Sequence, residues 1–369
     1  MAKCIMLAVA GAGKTYTICN NLDADKKNLI LAYTHENIYN INKELIKKFG
    51  RVPELTNVMT YDSFLYRYVL CPYEPTILRM FNERDFVRKG ITISKPPEMT
   101  KIINGKRITN KSYKTKDKLG HYEINGSYYC DTLSELIMYV KEDRKKLIDK
   151  VAAAINMFYD QVCIDEFQDF RKYDFEFIIS LAKKLNNVLL VGDYHQHSVS
   201  GDNNSGKPYD KMSMPEFVDF LEKQKFDVDT TTLKNSRRCP KNICEFVEKK
   251  LRMQFGCDNT NKGEIIWLNG DDVHRILCDD NVVKLTWNNA KKYIFHAVNW
   301  SYSKGDTYDD VCVVLTEKMS NLQKDTFDVS KIEAITKNKL YVAITRTRGN
   351  LYLINKKEFD KVKAIYLTR

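Results

Sequence analysis

The sequence predicts an α/β protein in which two parallel-sheet units follow one another. Three observations carry this. A short apolar run, Cys4-Ile5-Met6-Leu7, leads through the small-residue stretch Ala8 to Thr15 into a helical stretch from Tyr16 to Leu22. Aliphatic runs then recur and alternate with helix-like segments, as parallel sheets with helical crossovers require. One of them, Gln161-Val162-Cys163-Ile164, ends in Asp165-Glu166-Phe167-Gln168-Asp169 and so delivers acids to a strand end. At 369 residues the chain is long enough for two or three cores.

The first stretch is the most specific. Ala8-Val9-Ala10-Gly11-Ala12-Gly13-Lys14-Thr15 fits the phosphate-loop pattern G-x-x-x-x-G-K-[ST] at every fixed position but the first, where Ala8 stands for Gly. Small residues let backbone N–H groups approach phosphate oxygens, and the following helix adds its positive end. Ala10, Gly11, Ala12 and Gly13 are therefore expected around ATP, and Tyr16, the residue after Thr15, is expected there too. Lys14 is expected at the β- and γ-phosphates and Thr15 on Mg²⁺. Asp165 is the second expected Mg²⁺ ligand, and Glu166 the group that orients and deprotonates the attacking water.

Asn28 to Tyr33 reads as a second buried strand, and Thr34 as the cap of a helix running to about Lys48. Val58 to Phe64 reads as a third strand end, followed by a helix through Val69. The composition then changes. Between Lys95 and Lys118 there are eight Lys or Arg and two acids, Glu98 and Asp117. Asn104-Gly105 and Asn125-Gly126 each sit between β-formers, as in tight hairpins. Roughly residues 85–130 thus read as a small basic β-rich insertion. A long helix is expected from Thr132 to Phe158. Val188 to Val191 is the next strand, ending in Gly192-Asp193-Tyr194-His195-Gln196, and Asp202 to Gly206 is a loop. The first unit closes near Asp229. Beyond it, Thr230–Leu233, Glu264–Leu268, Tyr293–Val298, Val311–Leu315 and Leu351–Ile354 read as strands. Helices are expected at Pro240–Phe255 and Lys331–Thr345.

Composition narrows the class. No apolar run approaches the ~20 residues of a membrane span, and the apolar N-terminal stretch runs into the phosphate loop and does not read as a signal peptide. Ten cysteines without a C-x-x-C pair argue for reduced thiols and a cytoplasmic protein, not for a zinc site or disulfide framework. A formal charge of +11 points to a polyanionic partner, nucleic acid first.

Asp165-Glu166-Phe167-Gln168-Asp169 resembles the Walker B signature of superfamily 1 helicases of the UvrD/Rep/PcrA type. Other stretches resemble that family in order: Ala8–Thr15; Leu31 to Asn37; Thr60-Tyr61-Asp62-Ser63-Phe64; Gly192-Asp193-Tyr194-His195-Gln196; Leu233 to Ile243; Lys304 to Asp309; and Leu340 to Arg348. The resemblance implies two RecA-like domains, 1–229 and 230–369, with ATP between them. It implies that Arg238 and Arg346 reach the γ-phosphate from the second domain, that Gln168 and Gln196 sense the nucleotide, and that Gly305 lies at the ATP. It places Thr34, Asn37, Thr60, Tyr61, Ser63 and Phe64 on nucleic acid. Trp300, beside the fifth motif, is the aromatic residue favoured for base contact, ahead of Trp267 and Trp287.

The departures carry information too. No glutamine motif precedes the phosphate loop. No aromatic residue follows Gln196, so Tyr194 or His197 is the candidate replacement. Lys304-Gly305-Asp306-Thr307-Tyr308-Asp309 is closer to the opposite-polarity branch of the superfamily. About sixty residues separate Arg238 from Asn299, too few for the large second accessory domain. The expected function is an ATP-dependent helicase or translocase on single-stranded DNA, or on RNA. The alternatives are a nucleic-acid-sensing ATPase subunit of a defence or repair complex and a nucleotide switch that binds a protein partner.

Overall fold

Six parallel strands form the first sheet of the computed structural model, which describes residues 3–84, 89–142, 145–197, 207–209 and 212–368. In chain order these are β1 (Lys3–Leu7), followed by helix α1 (Lys14–Asn20); β2 (Asn28–Ala32), followed by α2 (His35–Phe49); β3 (Thr56–Thr60); β4 (Gln161–Ile164); β5 (Val188–Gly192); and β6 (Asp227–Asp229). Their spatial order is β6-β1-β5-β4-β2-β3. Because every pair is parallel, the loops after β1, β2, β4 and β5 all leave from one edge. That edge gathers the phosphate loop, Thr34, Asp165-Glu166 and Asp193.

The second sheet has five parallel strands, β7 (Ile265–Leu268), β8 (Val282–Thr286), β9 (Ala297–Asn299), β10 (Asp310–Val314) and β11 (Leu351–Ile354), in the order β7-β11-β10-β8-β9. Helix α3 (Lys241–Leu251) precedes it, and α4 (Ala334–Ile344) crosses from β10 to β11.

Period-two alternation gives each sheet two apolar faces. Ile5, Leu7, Leu29, Leu31, Val162, Ile164, Val188 and Leu190 enter one core. Their neighbours Cys4, Ile30, Ala32, Cys163, Leu189 and Val191 face the other way, into a cluster that also holds Val283, Leu285, Val311, Val313, Leu351 and Leu353 of the second sheet. The two units therefore share one continuous apolar cluster. Val282, Cys312, Val314 and Ile354 close a third cluster behind the second sheet.

Several elements differ from expectation. The helix after β3 runs on from Tyr61 to Met80 with a π-helical turn at Leu65–Leu70. The long helix from Thr132 breaks into Leu133–Tyr139 and Leu147–Phe158, because its apolar face stops at Val140 and a charged stretch pairs Lys141–Glu142 with Lys145–Lys146. Thr230–Leu233 is not a strand: Thr231 and Thr232 donate their N–H groups to the Asp229 carboxylate, which turns the chain. β8 had no sequence signal because Lys284 interrupts its apolar run. That side chain is buried in the sheet and donates to the Asp279 carbonyl. The strand expected at Tyr293–Val298 is confined to Ala297–Asn299. The Asp202–Gly206 loop, Ser198, Val199 and residues 85–88 lie outside the described residues.

The insertion is β-rich, as expected. Thr100–Ile103 pairs antiparallel with Lys106–Thr109, and Glu123–Ile124 with Ser127–Tyr129. Asn104, Gly105, Asn125 and Gly126 all have positive φ, which two-residue hairpin turns require. The first hairpin is solvated: Ile102, Ile103 and Ile108 are exposed beside Lys101, Lys106 and Arg107. All ten cysteines are free thiols. Among the described residues no helix is long and apolar enough to cross a membrane.

Candidate functional site

A cavity of about 950 Å³ lies where the two units meet. The first unit supplies Gly11, Gly13, Lys14, Thr15, Glu166 and Gln196; the second supplies Arg237, Arg238, Lys304, Gly305 and Arg346. The phosphate loop is shaped by Gly11 at φ 74° and Gly13 at φ 93°, conformations that disfavour a side chain. A Cβ on Gly11 would lie 2.6 Å from that of Arg238, so the arginine segment packs directly on the loop. The Arg237 N–H donates to the Gly11 carbonyl at 2.9 Å. The Tyr341 hydroxyl accepts from the Ala10 N–H at 2.7 Å.

Lys14 pairs with Glu166 at 3.4 Å. Burial opposes the lysine's charge, but Glu166, Asp193 and Asp165 outweigh it and raise the pKa. Thr15 donates its hydroxyl to the Asp165 carboxylate at 2.8 Å. Burial, then the Glu166 charge, pushes Asp165 up to about 6. Burial also acts to raise Glu166, yet Lys14 and Lys304 outweigh it and hold that carboxyl at about 2. Glu166 is thus ionised, as a base must be. Its backbone sits at φ 53°, a strained conformation for glutamate that a functional site tolerates. The Thr15 hydroxyl and Asp165 carboxylate are hard oxygen donors in contact, a set that fits Mg²⁺, which takes few protein ligands and keeps its waters.

The second unit brings cations. Lys304 pairs with Asp169 and lies 3.9 Å from Glu166. Arg238 donates to the Thr345 carbonyl at 3.1 Å. Arg346, only 2% exposed, donates to the Val342 carbonyl at 2.9 Å, to the Asp306 carbonyl and to the Thr345 hydroxyl. Burial, then Arg346, pushes Arg238 down to about 9, and burial lowers Arg346. Neither arginine has a carboxylate ion pair among the described residues. Two like charges withdrawn from water without an ion-pair partner are costly, and a bound polyanion would relieve them.

Behind the cavity, Gln168 donates to Glu166 and accepts from the Asp193 N–H at 2.9 Å. Gln196 donates to the Asp193 carboxylate at 2.8 Å. On the far side, Tyr16 carries the Arg237 guanidinium 5.4 Å from its ring centroid, beside Asn259 and Asn261.

The residues expected on nucleic acid divide. Thr34 caps α2, accepting the Asn37 N–H at 3.1 Å, and both face the cavity. Thr60 and Ser63 spend their hydroxyls on each other, in the cap of the next helix. Tyr61, Phe64 and Trp300 require correction: at 2%, 0% and 0% exposure they are core residues. Tyr61 bonds Ser134, and Trp300 donates to the Leu285 carbonyl while packing edge-on against Trp287. A base cannot stack on a ring with no free face. Tyr194 and His197 are corrected likewise. Both are buried, with His197 stacked on Tyr209 and bonded to Asn338 of α4. Sequence reasoning missed Lys304, Arg237 and Tyr341 as site residues. All three lie inside stretches already singled out, but only the packing of the second unit on the first shows where they reach.

With this geometry in place, comparison with known proteins gives one family match. Residues 95–198 match the family described as UvrD/REP helicase N-terminal domain. No curated protein matches the sequence. Among solved structures, an arterivirus nonstructural protein 10 helicase is similar over 99% of this chain and 62% of its own, at 12% identity and a TM-score of 0.47. Its complex with DNA gives 98%, 62%, 11% and 0.47. A PRRSV helicase gives 98%, 54%, 14% and 0.45. This chain therefore spans less than two thirds of the length of those proteins.

Proposed function

We propose that this chain, which carries a UvrD/REP helicase N-terminal domain segment, is a Mg²⁺-dependent ATP hydrolase that couples closure of two units, 1–229 and 230–369, to movement on single-stranded nucleic acid. Single-stranded DNA is the favoured polymer and RNA the alternative. The observation that carries the reading is the pair Arg238 and Arg346, one half-buried and one buried and neither in an ion pair among the described residues, facing a phosphate loop across one cavity. The ATP phosphates would lie between Lys14 and the two arginines. Thr15 and Asp165 would hold Mg²⁺, which neutralises phosphate charge. Glu166, ionised and aimed by its backbone, takes the proton of the attacking water. Arg238 and Arg346 stabilise the charge that develops on the transferred group. Release of phosphate after hydrolysis would remove the anion that holds the arginines to the loop, which favours opening.

The base end of the cavity supports a prediction. Tyr16 and Arg237 offer a ring face and a guanidinium plane, which grip a base without reading its edge. GTP should therefore compete with ATP within about tenfold, or ~1.4 kcal/mol. Competition binding with the four nucleotides checks this, and a hundredfold preference for ATP would contradict it.

The charge and the solvated hairpin support a polymer partner. Lysines on phosphates release counterions, so affinity for single strands should fall with salt by a log–log slope of about −0.7 per contact. Neutralising Lys106, Arg107, Lys111 and Lys114 together should weaken binding and flatten the slope while leaving basal hydrolysis intact. An unchanged slope would remove the insertion from the polymer site. Tyr61, Phe64, Trp300, Tyr194 and His197 are all buried, which favours a translocase that unwinds poorly without a partner. Strand displacement set beside a translocation assay tests this, and efficient displacement by the chain alone would contradict it.

A further inference from the structure

The geometry points to the Tyr341 hydroxyl as the positioning group that ties closure of the two units to the hydrolytic acids. The inference deepens the hydrolase reading and rests on it for its mechanism, though not for its geometry.

Tyr341 lies on α4 of the second unit and is fully buried. Its ring is fixed edge-on by Phe255 at 5.6 Å, so the hydroxyl has one place to point. That place is inside the first unit. The oxygen accepts the Ala10 N–H of the phosphate loop at 2.7 Å and donates its proton to the Asp193 carboxylate at 2.9 Å. Asp193 is itself buried, and its carboxylate also accepts from the Gln196 amide at 2.8 Å and the His195 N–H at 2.9 Å. Its own N–H donates to Gln168, which donates to Glu166. One phenol from the second unit thus joins the phosphate loop to the chain Asp193–Gln168–Glu166 in the first.

The physical consequence is directional. When the units separate, the phenol leaves with α4. Ala10 loses the acceptor of a buried N–H, and Asp193 loses one of its donors. Each group left unpaired favours rearrangement of the segment that carries it. Gln168 follows Asp193, and Glu166 follows Gln168. Closure therefore sets both the loop that receives the phosphates and the side chain that aims the base. Tyr341 touches no reacting atom; it acts through Ala10 and Asp193.

Tyr341→Phe removes the one oxygen and keeps the ring, so it isolates this role. Two measurements test it on the full chain: steady-state ATP hydrolysis, and backbone hydrogen exchange without nucleotide. The expected result is a kcat at least ~10-fold lower with KM for ATP changed less than about threefold, since the loss falls on organisation of the step rather than on ground-state binding. Exchange in peptides spanning residues 8–13 and 165–169 should quicken. Asp193→Ala removes the acceptor of the same bond from the other side and serves if Tyr341→Phe does not fold. The double variant should be no slower than the slower single, because both break one connection. Wild-type kcat and wild-type exchange in Tyr341→Phe would overturn the inference, as would losses that multiply in the double variant. If the wild-type chain itself turns over no ATP, the hydrolase reading fails and the exchange measurement alone decides the role of the phenol.

Discussion

Glu166→Gln should bind ATP with Mg²⁺ about as well as the wild-type chain and hydrolyse it ~10²–10⁴-fold more slowly, the range that loss of a general base produces. The substitution keeps the volume and the neighbour Gln168. What it removes is the charge that Lys14 and Lys304 hold ionised against the pull of burial. Lys14 loses its resting partner at 3.4 Å but gains the phosphates, so nucleotide binding is retained. Single-turnover hydrolysis beside equilibrium binding of ATP separates the two effects. Hydrolysis at the wild-type rate would remove Glu166 from the chemistry.

The second large effect concerns the arginines. Arg238→Ala and Arg346→Ala should each lower kcat by at least ~10²-fold, about 2.7 kcal/mol of transition-state stabilisation, with nucleotide affinity affected less. Arg346 is buried and Arg238 half-buried, and among the described residues their side chains bond backbone carbonyls and one hydroxyl while repelling each other. Such an arrangement suits a developing anion better than it suits the empty protein. Arg346→Met, which keeps most of the volume, should therefore melt no lower than the wild-type chain while losing the same turnover, because a buried charge without an ion-pair partner contributes little to folding. A marked fall in melting temperature would show that Arg346 is structural, and kcat within about twofold of wild type would exclude it from catalysis.

Much of the first unit could be read from local sequence, because its chemistry sits on strand ends. Cys4 to Leu7 had to be a strand for Ala8–Thr15 to bend into a phosphate loop, and Gln161 to Ile164 for Asp165 and Glu166 to face it. The two Asn-Gly pairs read correctly because a tight hairpin turn needs positive φ at both positions. What escaped was set by contacts distant in sequence. Trp300 lies beside a motif, yet the Leu285 carbonyl and Trp287 take its indole into the core. β8 contains Lys284, whose ammonium finds the Asp279 carbonyl inside the fold, so its pattern shows no continuous apolar run. The helix from Leu133 ends at Tyr139 because its buried stripe ends, although the charged residues beyond it have adequate helix propensity. Lys304 and Tyr341 take their roles from the docking of one sheet on another, which no local pattern encodes.

A site shared between two units that hydrolyses ATP in response to a polymer should show itself in the dependence of turnover on that polymer. Steady-state ATP hydrolysis by the wild-type chain should be followed with no polymer, single-stranded DNA, duplex DNA and RNA in turn. Basal turnover should be slow, stimulated markedly by a single strand and little by duplex, with the stimulation fading as salt is raised. Turnover indifferent to every polymer would contradict a polymer-driven ATPase and favour a nucleotide switch for a protein partner.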